Sequence, residues 1–260
     1  MLMCFAVLGC DGSNPRSTLS SGADGIVGGR QALVSENFWR FAVQLDSSTG
    51  DCTAVLVKKN VVLSARHCVD ESRLYVNFVK PKGKTTRDYV ESAKCSMSAE
   101  EFYRRRSTFK QDLERTPEEF EALGAPDICA LKLRDNAPAE FIPLAIASSM
   151  PAPGAEFIHL GWGATNDDRT GDNTVLKVGT SKFVRSTPSI LFSLEEAGGS
   201  RLCFGDSGGP VLWKDETGEY KLLGLNSVVE ATPGAAPKCT NADRVFSQYV
   251  SSYSSLWQDL

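Results

Sequence analysis

Short apolar runs separated by polar, turn-like clusters dominate the chain. RFAVQL (40–45), TAVLV (53–57), NVVLSA (60–65) and RLYVNFV (73–79) come first, parted by clusters such as DSSTGD and KPKGKTT. The pattern resumes with ICALKL (128–133), FIHLGWG (157–163), LKVGTSKFV (176–184), SILFSL (189–194) and YKLLGLNSVV (220–229). Runs of this length and spacing predict short strands in an antiparallel sandwich or barrel. One interval breaks the pattern. SAEEFYRRRSTFKQDLERTPEEFEAL (98–123) has helical composition, and Thr116-Pro117-Glu118-Glu119 supplies an N-cap, a proline at the first helical position and an acid at the third. It reads as a helical insertion on a β scaffold. Within it, Tyr103-Arg104-Arg105-Arg106 lies among Glu100, Glu101, Asp112 and Glu114 and reads as a solvated helix face. Near the end, Phe246, Tyr249, Val250, Tyr253 and Trp257 fall close to helical spacing and predict a terminal helix over 245–257.

The chain has 260 residues, 42% of them hydrophobic, enough to bury the core of one large domain or two lobes. A formal charge of −4 argues against general nucleic-acid binding. Eight cysteines stand at 4, 10, 52, 68, 95, 129, 203 and 239, with no Cys-x-x-Cys spacing and only two histidines. That set disfavours a metal site and favours disulfides formed in an oxidising compartment; no cofactor is expected. Residues 1–9, MLMCFAVLG, are apolar but too short to span a bilayer. They resemble the end of a secretory signal, and Val7-Leu8-Gly9-Cys10 resembles a bacterial lipobox, which would place a lipid on Cys10. Residues 1–25 are therefore expected to be an export segment with a Ser/Gly-rich linker or pro-segment, ahead of a functional domain over 26–260. The expected destination is extracellular or periplasmic, with a membrane anchor if Cys10 carries lipid.

The chemistry centres on CFGDSGGP (203–210), in which Ser207 stands among three glycines. A serine hydroxyl needs a general base to become a nucleophile. His159 lies in an apolar strand and reads as structural, which leaves His67 in LSARHCV. Asp127, at the mouth of ICALKL, is the candidate acceptor that orients the imidazole. The order is His67, Asp127, Ser207.

These segments together resemble the chymotrypsin/trypsin-type serine endopeptidases over about 26–257. The likeness rests on IVGG (26–29), Cys52 with SARHC (64–68), DICALKL (127–133), GWG (161–163) and GDSGGP (205–210). It implies two six-stranded antiparallel β-barrels with a His67–Asp127–Ser207 triad in the cleft, and a polypeptide substrate cut by a monomer. It also implies an oxyanion hole from the amides of Gly205 and Ser207, and a switch in which cleavage before Ile26 frees an amine to meet Asp206. Cys52–Cys68 and Cys203–Cys239 match family disulfides, and Cys95 and Cys129 fall on strands that the resemblance makes neighbours. Ser227, Val228 and Val229 would pair with the substrate backbone.

The sequence departs from the family at three places. Gly25 stands where a basic residue usually precedes the new N-terminus. Arg201 occupies the base of the primary pocket, and Arg244 falls where a pocket glycine is usual. Two guanidinium groups would suit an acidic side chain; a small or apolar preference and a filled pocket are the other readings. A catalytically silent relative used as a binding module is the alternative at the level of function. An α/β-hydrolase esterase is excluded by order, because His67 precedes Ser207.

Overall fold

The computed structural model describes residues 26–48, 50–70, 73–108, 115–168, 174–231 and 238–260. The expected export segment, including Cys10, lies outside the described residues.

Six antiparallel strands close the first barrel: β2 (Ala42–Ser47), β3 (Gly50–Lys58), β4 (Val61–Ser64), β5 (Tyr75–Phe78), β6 (Thr86–Cys95) and β7 (Cys129–Leu133). Their order around the barrel is β2-β3-β4-β7-β6-β5. The second barrel uses β8 (Glu156–Gly161), β9 (Lys177–Ser186), β10 (Ile190–Leu194), β11 (Pro210–Lys214), β12 (Tyr220–Ala231) and β13 (Ala242–Tyr249). It runs β9-β10-β13-β12-β11-β8 and closes where β8 pairs with β9, while the two-residue strand β1 (Arg30–Gln31) adds to the edge of β9. The expected double β-barrel is the observed fold.

The seam between the barrels explains why NVVLSA and TAVLV read as continuous apolar runs rather than alternating ones. A strand pointing successive side chains to opposite faces is apolar throughout only if both faces are buried. Val62, Ala54 and Leu56 line the first barrel's interior. Their neighbours Val61, Leu63 and Val55 face outward into a second core shared with Leu160, Trp162, Leu212 and Leu225 of the other barrel. Three disulfides join the pairs expected from the resemblance: Cys52–Cys68, Cys95–Cys129 and Cys203–Cys239. The second is a cross-strand bridge, with Cys95 directly opposite Cys129 in the β6–β7 ladder.

The helical insertion is present as α1 (Ala99–Arg106) and α2 (Pro117–Ala122). The Ser98 hydroxyl caps α1, and Thr116 forms a reciprocal capping box with Glu119 at the start of α2. The two helices dock on different barrels. α1 lies against the turn that carries His67, whereas α2 buries Phe120 against Ile190, Phe192 and Phe246 of the second barrel.

One element differs from expectation. Residues 245–249 continue β13, paired to both β10 and β12, and only Val250–Leu256 coil, as a 3-10 helix. A strand buried on both faces carries apolar residues at every spacing, helical spacing included, so periodicity misassigned its end.

Leu63 is fully buried in the seam, whereas Leu33 is 59% exposed. Leu63→Ala should lower unfolding free energy by about 3 kcal/mol. Leu33→Ala should change it by less than about 0.5 kcal/mol. Chemical denaturation of the two variants checks the contrast.

Candidate active site

His67 stands on a single 3-10 turn, Arg66–Cys68, directly after β4. Buried Arg66 holds the turn by donating to the carbonyls of Val69 and Met97, and the Cys52–Cys68 bridge ties its end to β3. Asp127 enters from the residue pair before β7. One of its oxygens, Oδ1, accepts the His67 amide at 3.0 Å, and the other, Oδ2, lies 2.8 Å from His67 Nδ1. Oδ2 also accepts the Ser227 hydroxyl of β12 at 2.5 Å and an Arg106 Nη2 at 3.4 Å. The Asp127 amide donates to Gln248 Oε1 at 2.8 Å, so β13 fixes the backbone from behind.

Asp127 is fully buried. Burial alone would push its carboxyl up. The charges of His67 and Arg106 and the hydrogen bonds from His67 and Ser227 outweigh it, and the group stays well below the usual carboxylate range. It is ionised at any working pH and fit to receive an imidazolium.

The CFGDSGGP loop meets this pair from the other barrel. Thr53 of β3 fastens it at two points: its amide donates to Ser207 O at 2.9 Å and its hydroxyl to Gly205 O at 2.8 Å. The Ser207 carbonyl lies 3.8 Å from Cys68 Sγ, one residue beyond His67. Within the loop, Asp206 N donates to Cys203 O, Gly208 N to Asn226 O and Gly209 N to Asp206 O. Gly205 and Gly208 have φ of +94° and +77°, in the region that side chains avoid. Cys52, His67 and Cys68 bring possible ligand atoms within 4.8 Å of one another, but both sulfurs are committed to a disulfide.

Asp206 faces inward. Its Oδ1 accepts Gly163 N at 2.9 Å and its Oδ2 accepts Cys203 N at 2.8 Å. Burial pushes the carboxyl up to about 7 despite these two bonds. The GWG sequence has a packing reason here, since a Cβ on Gly161 would stand 1.9 Å from Asp206 Oδ1. Ile26 is fully buried with Leu202 and Val245, and Val27 bridges to Arg201.

Arg201 and Arg244, the two arginines expected at the pocket, each lie near an internal acid. Arg201 donates to the Glu196 and Ser200 carbonyls at 2.9 Å and lies 3.6 Å from Glu195, a carboxyl that burial pushes up to about 8. Arg244 stacks near Phe192 and Phe246 and lies 3.9 Å from Glu230, which also pairs with Arg115 at 3.0 Å. Ser227, Val228 and Val229 lie along β12 as expected. His159 is buried between Asn226 Oδ1 and Ser181 Oγ, each 2.7 Å away; burial lowers it to about 4, so it is a neutral structural residue.

Sequence reasoning missed Arg106, Thr53 and Gln248, and it saw Ser227 only as backbone. Arg106 corrects the reading of 103–106 as a solvated face: Arg104 points outward, but Arg106 turns to Asp127, with only 21% of its side chain exposed. The signal was available in principle, because Arg106 stands four residues after buried Phe102 and shares its helix face.

Comparison with known proteins bears on the family of the chain. The family described as Trypsin matches residues 26–255. The chain belongs to the trypsin family. It is 27% identical to a trypsin-like protease of Streptomyces glaucescens, over 78% of this chain and 72% of that protein. Against trypsin II-P29 of Gallus gallus it is 24% identical, over 97% of this chain and all of that protein. A further match, the serine proteinase stubble of Drosophila melanogaster, is 26% identical over 81% of this chain but only 28% of that longer protein. Membership makes the chain a serine protease and hydrolase at the level of the family, and its three disulfides suit an extracellular setting.

A Cβ on Gly208 would lie 2.1 Å from Ser64 Oγ and 2.4 Å from Thr53 O. Gly208→Ala should therefore lose roughly 3 kcal/mol of stability from left-handed strain and overpacking together. The urea midpoint measures it.

Proposed function

We propose that this chain is an exported serine endopeptidase whose catalytic groups are His67, Asp127 and Ser207. The observation that carries the reading is the paired contact of Asp127 with both the ring and the amide of His67, set beside a loop that presents Ser207. Ser207 Oγ attacks the peptide carbonyl carbon while His67 Nε2 takes its proton. His67 then returns that proton to the leaving amine, and an acyl-enzyme forms. Water repeats the sequence and releases the acid and the free serine. The amides of Gly205 and Ser207, alternating with the loop amides already bonded internally, stabilise the oxyanion, each contributing about 3 kcal/mol in the transition state. Substrate lies along Ser227–Val229 as an added strand. Because Arg201 donates to the Glu196 and Ser200 carbonyls and Arg244 to the Arg115 carbonyl, both guanidinium groups are held internally, and the pocket takes neutral side chains at the position before the cut in preference to basic ones.

The test uses protein matured at Ile26 and a fluorophosphonate probe. Adduct on Ser207 is expected, absent in Ser207→Ala and at least a hundredfold slower in His67→Ala. A matured protein that takes no label would instead be a silent binding relative. A peptide-library profile dominated by cleavage after Lys or Arg would overturn the pocket reading.

Activation follows from Asp206. Cleavage before Ile26 creates an α-amino group beside an anchored Ile26 side chain, and Asp206 is the buried acid it reaches. Before cleavage the folded carboxyl titrates near 7, above its unfolded value. The folded state then holds the extra proton, so this group makes the uncleaved chain lose stability as pH rises from about 4 to about 7. Glu195 acts in the same sense and His159 in the opposite one, so Asp206→Asn is the reference. In a Ser207→Ala background, the uncleaved chain should lose more thermal stability between pH 5 and pH 7.5 than its Asp206→Asn variant does. After cleavage that excess should vanish or reverse.

A further inference from the structure

Asp127, buried against His67, is also contacted by a guanidinium that comes from the insertion. Arg106 is the last residue of α1. Its Nη2 lies 3.4 Å from Asp127 Oδ2 and 3.3 Å from Ser227 Oγ, and its guanidinium stands 4.8 Å from the Phe102 ring. Its Nε is buried and makes no hydrogen bond among the described residues. The same helix places the Tyr103 hydroxyl 3.4 Å from the His67 carbonyl. α1 thus reaches both members of the His67–Asp127 pair.

Other charges nearby are already occupied. On α1, Glu101 is taken by Arg104 and Arg105, and Arg105 also donates to Gly124 O. On the His67 turn, Arg66 is spent on backbone carbonyls. On β12, Glu230 pairs with Arg115 and Arg244. On β13, the group facing Asp127 is the neutral Gln248. Among the described residues, the ionisable side chains that contact Asp127 are therefore His67 and Arg106.

We propose that Arg106 is a positioning residue of the catalytic site, which pre-neutralises Asp127 and so sets the pH at which His67 becomes an available base. The inference rests on the protease reading above. With Arg106 in place, neutral His67 leaves the group uncharged as a whole, and protonating His67 gives it a net positive charge. Without Arg106 the same protonation takes the group from negative to neutral. A like charge disfavours the imidazolium, so removing Arg106 should move the acid limb of activity upward in pH. The same charge weakens the pull on the imidazolium during turnover, so the gain at low pH is set against the maximal rate.

The experiment is a pH profile of kcat/KM on matured protein with a neutral peptide ester, for the parent, Arg106→Met and Arg106→Lys. Arg106→Met should move the acid limb upward by about one pH unit, while Arg106→Lys should stay within about a third of a unit of the parent. Superimposed profiles for parent and Arg106→Met would overturn the proposal. So would a Met variant that is less thermostable but has an unmoved limb, because that is the mark of a purely structural contact. A parent that hydrolyses nothing at any pH would instead defeat the protease reading itself.

Discussion

The fold turns on one charge that cannot be left alone. Asp127 is ionised and fully buried between two barrels. An uncompensated carboxylate in such a place costs several kcal/mol even after relaxation. The donors to its carboxylate come from three segments far apart in sequence: the amide and ring of His67, the Ser227 hydroxyl on β12 and the Arg106 guanidinium on α1, while Gln248 of β13 accepts its backbone amide. No one barrel can satisfy it. His67 and Asp127 both come from the first barrel, and Ser227 and Gln248 of the second complete the aspartate's partners, so docking the barrels and satisfying this charge go together.

Burial alone does not decide what a carboxyl becomes; its partners do. Asp127, Asp206 and Glu195 are all buried. Asp127 has cations and hydroxyl donors and lies below the usual range. Asp206 has two amides and rises to about 7, and Glu195, with one amide and a guanidinium 3.6 Å off, rises to about 8. Amides are partial charges and offset less desolvation than a full cation at contact. The ionised acid thus lies against His67, whereas the two readily protonated ones lack a cation in hydrogen-bond contact. Environments that push acids apart in this way assign them different tasks.

Much of this was legible in the order of residues. Cys203–Pro210, the two histidines and Asp127 fixed the candidate constellation, and the twofold burial of β3 and β4 was visible as unbroken apolar runs. What stayed hidden depended on contacts distant in sequence. β13 was misread because a doubly buried strand satisfies helical spacing by chance. Arg106 was misread because three successive arginines look alike as a string; only docking of Phe102 shows which of them turns inward. Thr53 carried no signal, since a threonine inside a strand is ordinary until another barrel's loop is seen resting on it.

Three arginines of this chain share one physical logic. Arg106, Arg201 and Arg244 each lie near an acid inside the molecule, Asp127, Glu195 or Glu230. A partly buried guanidinium left without its acid, or an acid left without its guanidinium, is far costlier than the pair. The members of each pair therefore cannot be changed singly without penalty, and a chain that acquires one arginine is held to the matching acid. Glu230 is shared by Arg115 and Arg244, and burial leaves Glu195 readily protonated, so these acids offset the arginines only in part. Of the three, Arg106 is the one whose acid also contacts His67, so its charge bears most directly on the candidate site.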